Sequence, residues 1–178
     1  GSKRELTALP HVESGYDPRA QSHVGAAGLW QFMPGTAKDF MRVDAIVDER
    51  LDPYRATEGA ARLLRQNYAI TGSWPTAITA YNHGAGGMRQ AIQQLGTDDI
   101  ETIVRNYRGR AFGFASRNFY VSFLAAVDVR SNAERYFGKL TREEPDASVA
   151  VRLPEYAPIA ALEQVLRSGV LCRRDLVE

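Results

Sequence analysis

A chain of 178 residues, 44% hydrophobic and 24% charged, is long enough for one core of ordinary size and has the composition of a soluble globular domain, not of a disordered or membrane one. Its net charge of +1 lacks the basic excess of a polyanion binder, which disfavours nucleic acid as a partner. No apolar run approaches the ~20 residues of a spanning helix.

Gly1-Ser2 reads as a cloning scar, so any targeting segment or membrane anchor is expected to lie outside this sequence. From Arg4 to Val12, Leu6, Leu9 and Val12 recur at helical spacing, which predicts a helix with Glu13 in or near its last turn. A carboxylate is poorly placed there, because the helix dipole favours cations at a C-terminus. Chemistry explains Glu13 more readily than helix stability does. Asp17-Pro18 then forces a turn, and Asp17 reads as a turn residue that hydrogen-bonds its own backbone. Gly25, Gly28, Leu29, Trp30, Gln31, Phe32 and Met33 bring backbone freedom, aromatic bulk and an amide back toward Glu13.

Gly35 or Thr36 is expected to open a short helix ending near Arg42, with Thr36 and Asp39 at capping-box spacing. The charges from Val43 to Leu51 are most simply solvated. Asp52 is a good N-cap and Pro53 suits the first helical position. The helix that follows carries an apolar stripe of Thr57, Ala60, Ala61, Leu64 and Tyr68, with Glu58 and Arg62 spaced for a surface pair. Gly72 ends it, and Ser73 caps a short, apolar, central helix, Trp74 to Tyr81. The glycines of His83 to Gly87 reverse the chain. They form no phosphate cradle, since neither a preceding strand nor a following Lys-Ser/Thr is present.

Met88–Leu95 is predicted helical, stopped by Gly96, and Asp98 with Glu101 caps another helix through Tyr107. After an Arg- and Gly-rich loop, Ser116 opens a helix from Arg117 to about Phe137, apolar nearly all round and therefore expected to be buried. No segment sustains a two-residue alternation, so the class is all-α. Thr141 to Ser148 reads as a linker, and Ala157–Ser168 with Arg173–Val177 as a small, truncated helix-turn-helix. Cys172, the single cysteine, cannot form an internal disulfide and reads as a small buried side chain.

The ordered series Val12-Glu13-Ser14, Ser22, Gly28-Leu29-Trp30-Gln31-Phe32-Met33-Pro34, Leu51-Asp52-Pro53 and Ala80-Tyr81-Asn82 resembles the lysozyme-like lytic transglycosylases of glycoside hydrolase family 23. It is most similar to the membrane-bound lytic murein transglycosylase D branch. The resemblance covers Lys3 to about Gly138. It implies a lysozyme-like helical domain with a substrate groove over residues 3–140, and a linker with a small helical segment over 141–178 that weakly resembles the approach to cell-wall-binding repeats. It implies peptidoglycan glycan strands as substrate, no cofactor, a monomer, and a place in the bacterial periplasm or cell envelope.

Cleaving a glycosidic bond near neutral pH requires an acid whose pKa burial has raised, and most glycosidases add a second carboxylate. Here one suffices if the nucleophile comes from the substrate, as the resemblance implies: the C6 hydroxyl of muramic acid attacks its own anomeric carbon. Such an intramolecular attack is worth on the order of 7–11 kcal/mol at best. By similarity Glu13 is the catalytic acid and base, Ser22, Gln31 and Asn82 position N-acetyl groups or the Glu13 carboxylate, Met33 packs under a ring, and Tyr81 and Tyr120 hydrogen-bond the reacting centre. Trp30, Met33, Tyr81 and Tyr120 are expected to surround Glu13, although each aromatic is equally consistent with core packing. His11, His23 and His83 match no common zinc spacing, and no metal is expected. Alternatives are a goose-type lysozyme, which uses water and another acidic residue, a non-catalytic wall-binding module, and an all-α interaction domain.

Overall fold

A computed structural model of the chain describes residues 5–141 and, beyond them, Pro158 alone. The expected linker from Arg142 onward, the C-terminal helix-turn-helix and Cys172 lie outside the described residues. The chain divides into two units, Gly1–Leu140 and Thr141–Glu178, and the account below concerns the first.

Among the described residues there are helices, turns and three isolated bridges, but no strand, in keeping with the all-α expectation. The first predicted helix is shorter than its apolar spacing suggests. A 3-10 turn, Glu5–Ala8, leads into α1, Leu9–Glu13. Pro10 accounts for this: it fits the first turn of a helix but not an interior. Glu13 is the last residue of α1, as its sequence position predicts.

The helix α2 spans Pro34–Ala37, with Met33 at the N-cap, so it starts ahead of Gly35 or Thr36 and makes no Thr36–Asp39 capping box. Pro34, with its φ preset, takes the start. The longest helix, α3, spans Pro53–Thr71. Asp52 caps it by accepting from the backbone N–H groups of Tyr54 and Arg55, and Gly72 ends it at φ 82°. Its buried face is Ala56, Gly59, Ala60, Leu64, Asn67 and Thr71. The predicted stripe was therefore right at Ala60 and Leu64 and wrong at Thr57, Ala61 and Tyr68, which are exposed. Polarity misled, because Asn67 is buried with its amide donating to the Ala77 carbonyl at 3.3 Å, and Thr71 donates to Asn67 O at 2.9 Å. Glu58 pairs with Arg55 at 3.7 Å and not with Arg62. Arg62 instead donates to the Phe40 carbonyl and lies over the Phe40 ring.

The helix α4, Trp74–His83, packs against α3, α5 (Ala85–Leu95) and α7 (Phe114–Ser131), which makes it the central element. Ile78 belongs to the larger core cluster, with Leu9, Trp30, Phe32, Leu64, Phe119 and Phe123. Ala80 belongs to a second cluster with Met88, Ala91, Ile103, Tyr107 and Phe112. The α5 helix runs through Gly86 and Gly87, three residues earlier than predicted. The absence of a side chain at Gly87 makes room for the His83 ring. The next helix, α6 (Ile100–Asn106), is capped by Asp99, which accepts from Thr102 N at 2.8 Å, one residue past the predicted Asp98.

The predicted final helix is two. The first, α7, spans Phe114–Ser131 and the second, α8, Ala133–Phe137. Between them Asn132 leaves helical geometry at φ −118°, and its side-chain amide donates to the Asp128 carbonyl (3.0 Å) and carboxylate (2.9 Å). Nor is α7 buried all round. Ser116, Phe119 and Phe123 are buried, whereas Val121 is 62% exposed and Leu124 44%, because α7 meets α4 and α1 along one face.

The charges of 43–51 are not simply solvated either. Arg50 is 8% exposed. It forms a fork with Asp48 (Nε–Oδ1 2.9 Å, Nη2–Oδ2 2.7 Å), and its Nη1 donates to the carbonyls of Gly25 (2.8 Å) and Phe32 (2.9 Å). Backbone contact reinforces the join. Gly28 holds φ +80°, and a methyl there would overlap the Arg50 carbonyl oxygen. Gly28→Ala is therefore expected to cost more than about 1 kcal/mol, from both left-handed strain and overlap. Urea unfolding of the variant checks this; an unchanged midpoint would mean that the two backbones do not need their close approach.

Candidate active site

The end of α1 and the segment that follows are tied together residue by residue. Ser14, next to Glu13, donates its hydroxyl to the Leu29 carbonyl at 2.8 Å. Tyr81, near the end of α4, donates to the Trp30 carbonyl at 2.9 Å. Between these anchors Ala27 and Phe32 exchange backbone hydrogen bonds at 3.1 Å, closing a tight loop with Gln31 at φ 47°. The loop, α1 and α4 therefore meet where Glu13 and Tyr81 stand.

Glu13 is partly exposed, as a group that meets substrate must be. Among the described residues nothing donates a hydrogen bond to its carboxylate and no cation pairs with it. Exclusion of water alone raises its pKa from 4.5 to about 7. The Tyr81 hydroxyl is pushed up by burial first and by the nearby Glu13 charge second, so it stays a protonated donor. Glu13 can therefore both hold and release a proton near neutral pH, which is what general acid–base work requires.

The other predicted residues divide in two. Ser22 Oγ accepts from Ala26 N at 2.9 Å and closes a turn. The Gln31 amide donates to the carbonyls of Gly28 (2.9 Å) and Ala20 (3.2 Å). Both hold the loop that faces Glu13. Met33 is 43% exposed at the N-cap of α2, where a flexible thioether can meet a ligand. Asn82 is exposed beside Tyr81, and its Oδ1 accepts from the Ser116 hydroxyl at 2.9 Å.

Trp30 and Tyr120 make other contacts. The Trp30 indole is 5% exposed, donates to Thr57 Oγ1 at 2.8 Å and packs tilted against the Tyr81 ring, with centroids 6.5 Å apart. The Tyr120 hydroxyl is raised in pKa by burial and then by Glu5, not Glu13. It lines a cavity of about 610 Å³ with Tyr68, Trp74 and Leu124. Helical phase explains the difference, since Phe119 and Phe123 take the core face of α7.

Asp17 accepts from Arg19 N at 2.8 Å, as its turn reading predicts. His11 packs against Tyr16 with the rings tilted by 49° and centroids 4.4 Å apart, and His83 lies edge-on to Phe112. Among the described residues no three His, Cys, Asp or Glu side chains converge as metal ligands. Sequence reasoning missed three contributors: Ser14, Ser116 and Arg50. Only Ser14 carried a signal, through its place beside Glu13.

The family model described as "Transglycosylase SLT domain" matches residues 1–104. Among curated proteins, the chain is 31% identical over 159 residues to "Membrane-bound lytic murein transglycosylase D" of Escherichia coli (strain K12), covering 84% of this chain and 33% of that protein. It is 36% identical over 175 residues to "Membrane-bound lytic murein transglycosylase F" of Aeromonas salmonicida (strain A449), covering 80% and 33%. It is 40% identical over 88 residues to "Transglycosylase" of Enterobacteria phage PRD1, covering 49% and 30%. The chain spans about a third of the length of these relatives.

Proposed function

The chain belongs to the transglycosylase SLT-domain family, and on that premise we propose that it is a lytic transglycosylase acting on peptidoglycan. It cleaves the β-1,4 bond between N-acetylmuramic acid and N-acetylglucosamine. The observation that carries this reading is Glu13: a single carboxyl at the end of α1 whose pKa burial raises to about 7, near a protonated Tyr81 and beside the loop to which Ser14 and Tyr81 are bonded.

In the first step the protonated Glu13 gives its proton to the bridging oxygen as the bond from that oxygen to the anomeric carbon breaks. In the second, the C6 hydroxyl oxygen of the same muramic acid bonds to the anomeric carbon and its proton returns to Glu13. No water is consumed, and the acid is regenerated. Asp17, the nearest carboxylate in sequence, is occupied by its own turn, which supports substrate-assisted attack over a second catalytic carboxylate. The names of the relatives, murein enzymes that are membrane-bound, support a cell-envelope setting. We assign the activity to residues 3–140.

Released glycan ends are expected to be 1,6-anhydromuramic acid, non-reducing and lighter by one water than hydrolysis products. Mass spectrometry of muropeptides released from purified sacculi checks this. A digest dominated by reducing muramic acid ends would move the assignment to a goose-type hydrolase, and loss of that activity in Asp17→Asn would identify its second carboxylate. No release at all would leave a wall-binding module.

A further inference from the structure

From Thr102 to Val127 the sequence holds four arginines and no aspartate or glutamate. Two of the four are committed. Arg105 pairs with Glu101 at 2.6 Å, while Arg117 donates to the carbonyls of Val104 and Tyr107 and lies 5.0 Å over the Phe112 ring. Arg108 and Arg110 are exposed, and among the described residues neither pairs with a carboxylate. The loop that carries them, 107–113, is nonetheless fixed. Tyr107 and Phe112, 3% and 2% exposed, pin its ends in the core, Phe112 N donates to Gly109 O at 2.9 Å, and Arg117 grips both ends. The loop also borders the site. Phe112 stands edge-on to His83 with centroids 4.9 Å apart, and Ser116 donates to Asn82 Oδ1 at 2.9 Å, so the chain here lies against the end of α4 that carries Tyr81 and Asn82. Between those two contacts Phe114 is 84% exposed.

We propose that Arg108, Arg110 and Phe114 form a docking surface for the peptide that a muramic acid carries, with the guanidiniums on its carboxylates and the ring on its apolar side chains. The inference rests on the reading of this site as a peptidoglycan site. Stem peptides are short, combine alanine methyls with free carboxylates, and hang from the same sugar whose glycosidic bond is cleaved. Charge complementarity picks out this part of the substrate, because the sugar backbone itself offers neutral hydroxyls and acetamides. A guanidinium fork matches a carboxylate in two hydrogen bonds. Exposed ion pairs are individually weak, but a strand held at Glu13 presents its peptide at high effective concentration. A loop already fixed by core side chains loses little freedom on binding.

Steady-state kinetics would be measured for wild type, the double variant Arg108→Gln/Arg110→Gln, Phe114→Ala and Arg65→Gln. Three substrates are compared: glycan strands with stem peptides, the same strands with every peptide carboxylate amidated, and strands stripped of peptide and amidated at the lactyl group. At low salt, wild type should show a KM roughly three- to tenfold lower for free carboxylates than for amidated ones, a gap that closes at roughly 0.5 M salt. The double variant should lose that gap with kcat kept, and should match wild type on stripped strands. Phe114→Ala should raise KM roughly threefold on both peptide-bearing substrates and leave stripped strands unaffected. Arg65, an exposed arginine lining the cavity beside Trp74 at the other end of α4, should be replaceable by Gln without loss of the gap. Wild type that releases anhydro ends yet ignores amidation overturns this inference alone. So does equal slowing of stripped strands in the double variant or in Phe114→Ala, or a gap that Arg65→Gln abolishes as well, which would reduce the effect to net charge. Wild type that releases nothing from any substrate refutes the peptidoglycan reading and this inference with it.

Discussion

Glu13→Gln is expected to lower turnover by about 10²–10⁴-fold, the usual share of a general acid and base, while making the folded protein more stable above neutral pH. The amide keeps the shape but neither donates nor recovers the proton. The stability gain follows from the raised pKa. In the unfolded chain Glu13 ionises near 4.5 and in the folded protein near 7, so folding favours its protonated form. That contribution is fully present below about pH 4.5 and is lost as pH rises through 7. At about pH 9 the folded wild type holds an ionised carboxylate in a water-poor place, and Gln removes a cost of up to about 3 kcal/mol. Paired urea titrations at about pH 4 and pH 9 should show the mutant's advantage only at the higher pH. In wild type, kcat/KM should fall about tenfold per unit above pH 7, because the first step needs the acid form. Full activity persisting to about pH 9, or a mutant with unchanged turnover, would remove Glu13 from the reaction.

Much of this was legible in the sequence where one residue fixes one local outcome. Asp52-Pro53 and Gly72 bound α3 because capping and proline geometry act within a few residues. Glu13 could be picked out because a carboxylate at a helix C-terminus conflicts with the dipole. The failures share a cause. Thr57 is exposed where the stripe predicted it buried, Asn67 is buried, and the Tyr120 hydroxyl feels Glu5, because burial is decided by which face of a helix meets its neighbours, and polar side chains enter a core when a carbonyl is waiting. The apolar circumference of α7 implied burial on every side, yet its packed face is narrow and Val121 stands in solvent. Ser116 had no sequence signal, since its partner Asn82 is 34 residues away. Arg50 was hidden more completely, inside a run of charges that reads as surface.

Arg50→Ala is accordingly expected to destabilise the protein by about 3–5 kcal/mol, the cost of leaving one member of a buried ion pair without its partner. Three acceptors lose their donors together: the Asp48 carboxylate and the carbonyls of Gly25 and Phe32. Those two carbonyls bracket the loop whose Leu29 and Trp30 carbonyls receive Ser14 and Tyr81, so the loss reaches the catalytic group. In a domain of this size the melting temperature should drop by about 10 °C or more. Arg50→Lys should recover little, because a single ammonium cannot grip both carboxylate oxygens and two carbonyls at once. The sign with pH is fixed by Asp48. Its pKa is lowered, first by the Arg50 side-chain hydrogen bond, so the pair stabilises above the unfolded value of 3.8 and that stabilisation is lost as pH falls through the folded one. The gap between wild type and Arg50→Ala should therefore narrow in acid. Below its melting point the variant should also show the alkaline limb of its activity profile moved toward lower pH, since a loosened loop readmits water to Glu13 and lets it ionise sooner. If Arg50→Ala melts like wild type and keeps the same limb, the loop holds Glu13 without the guanidinium.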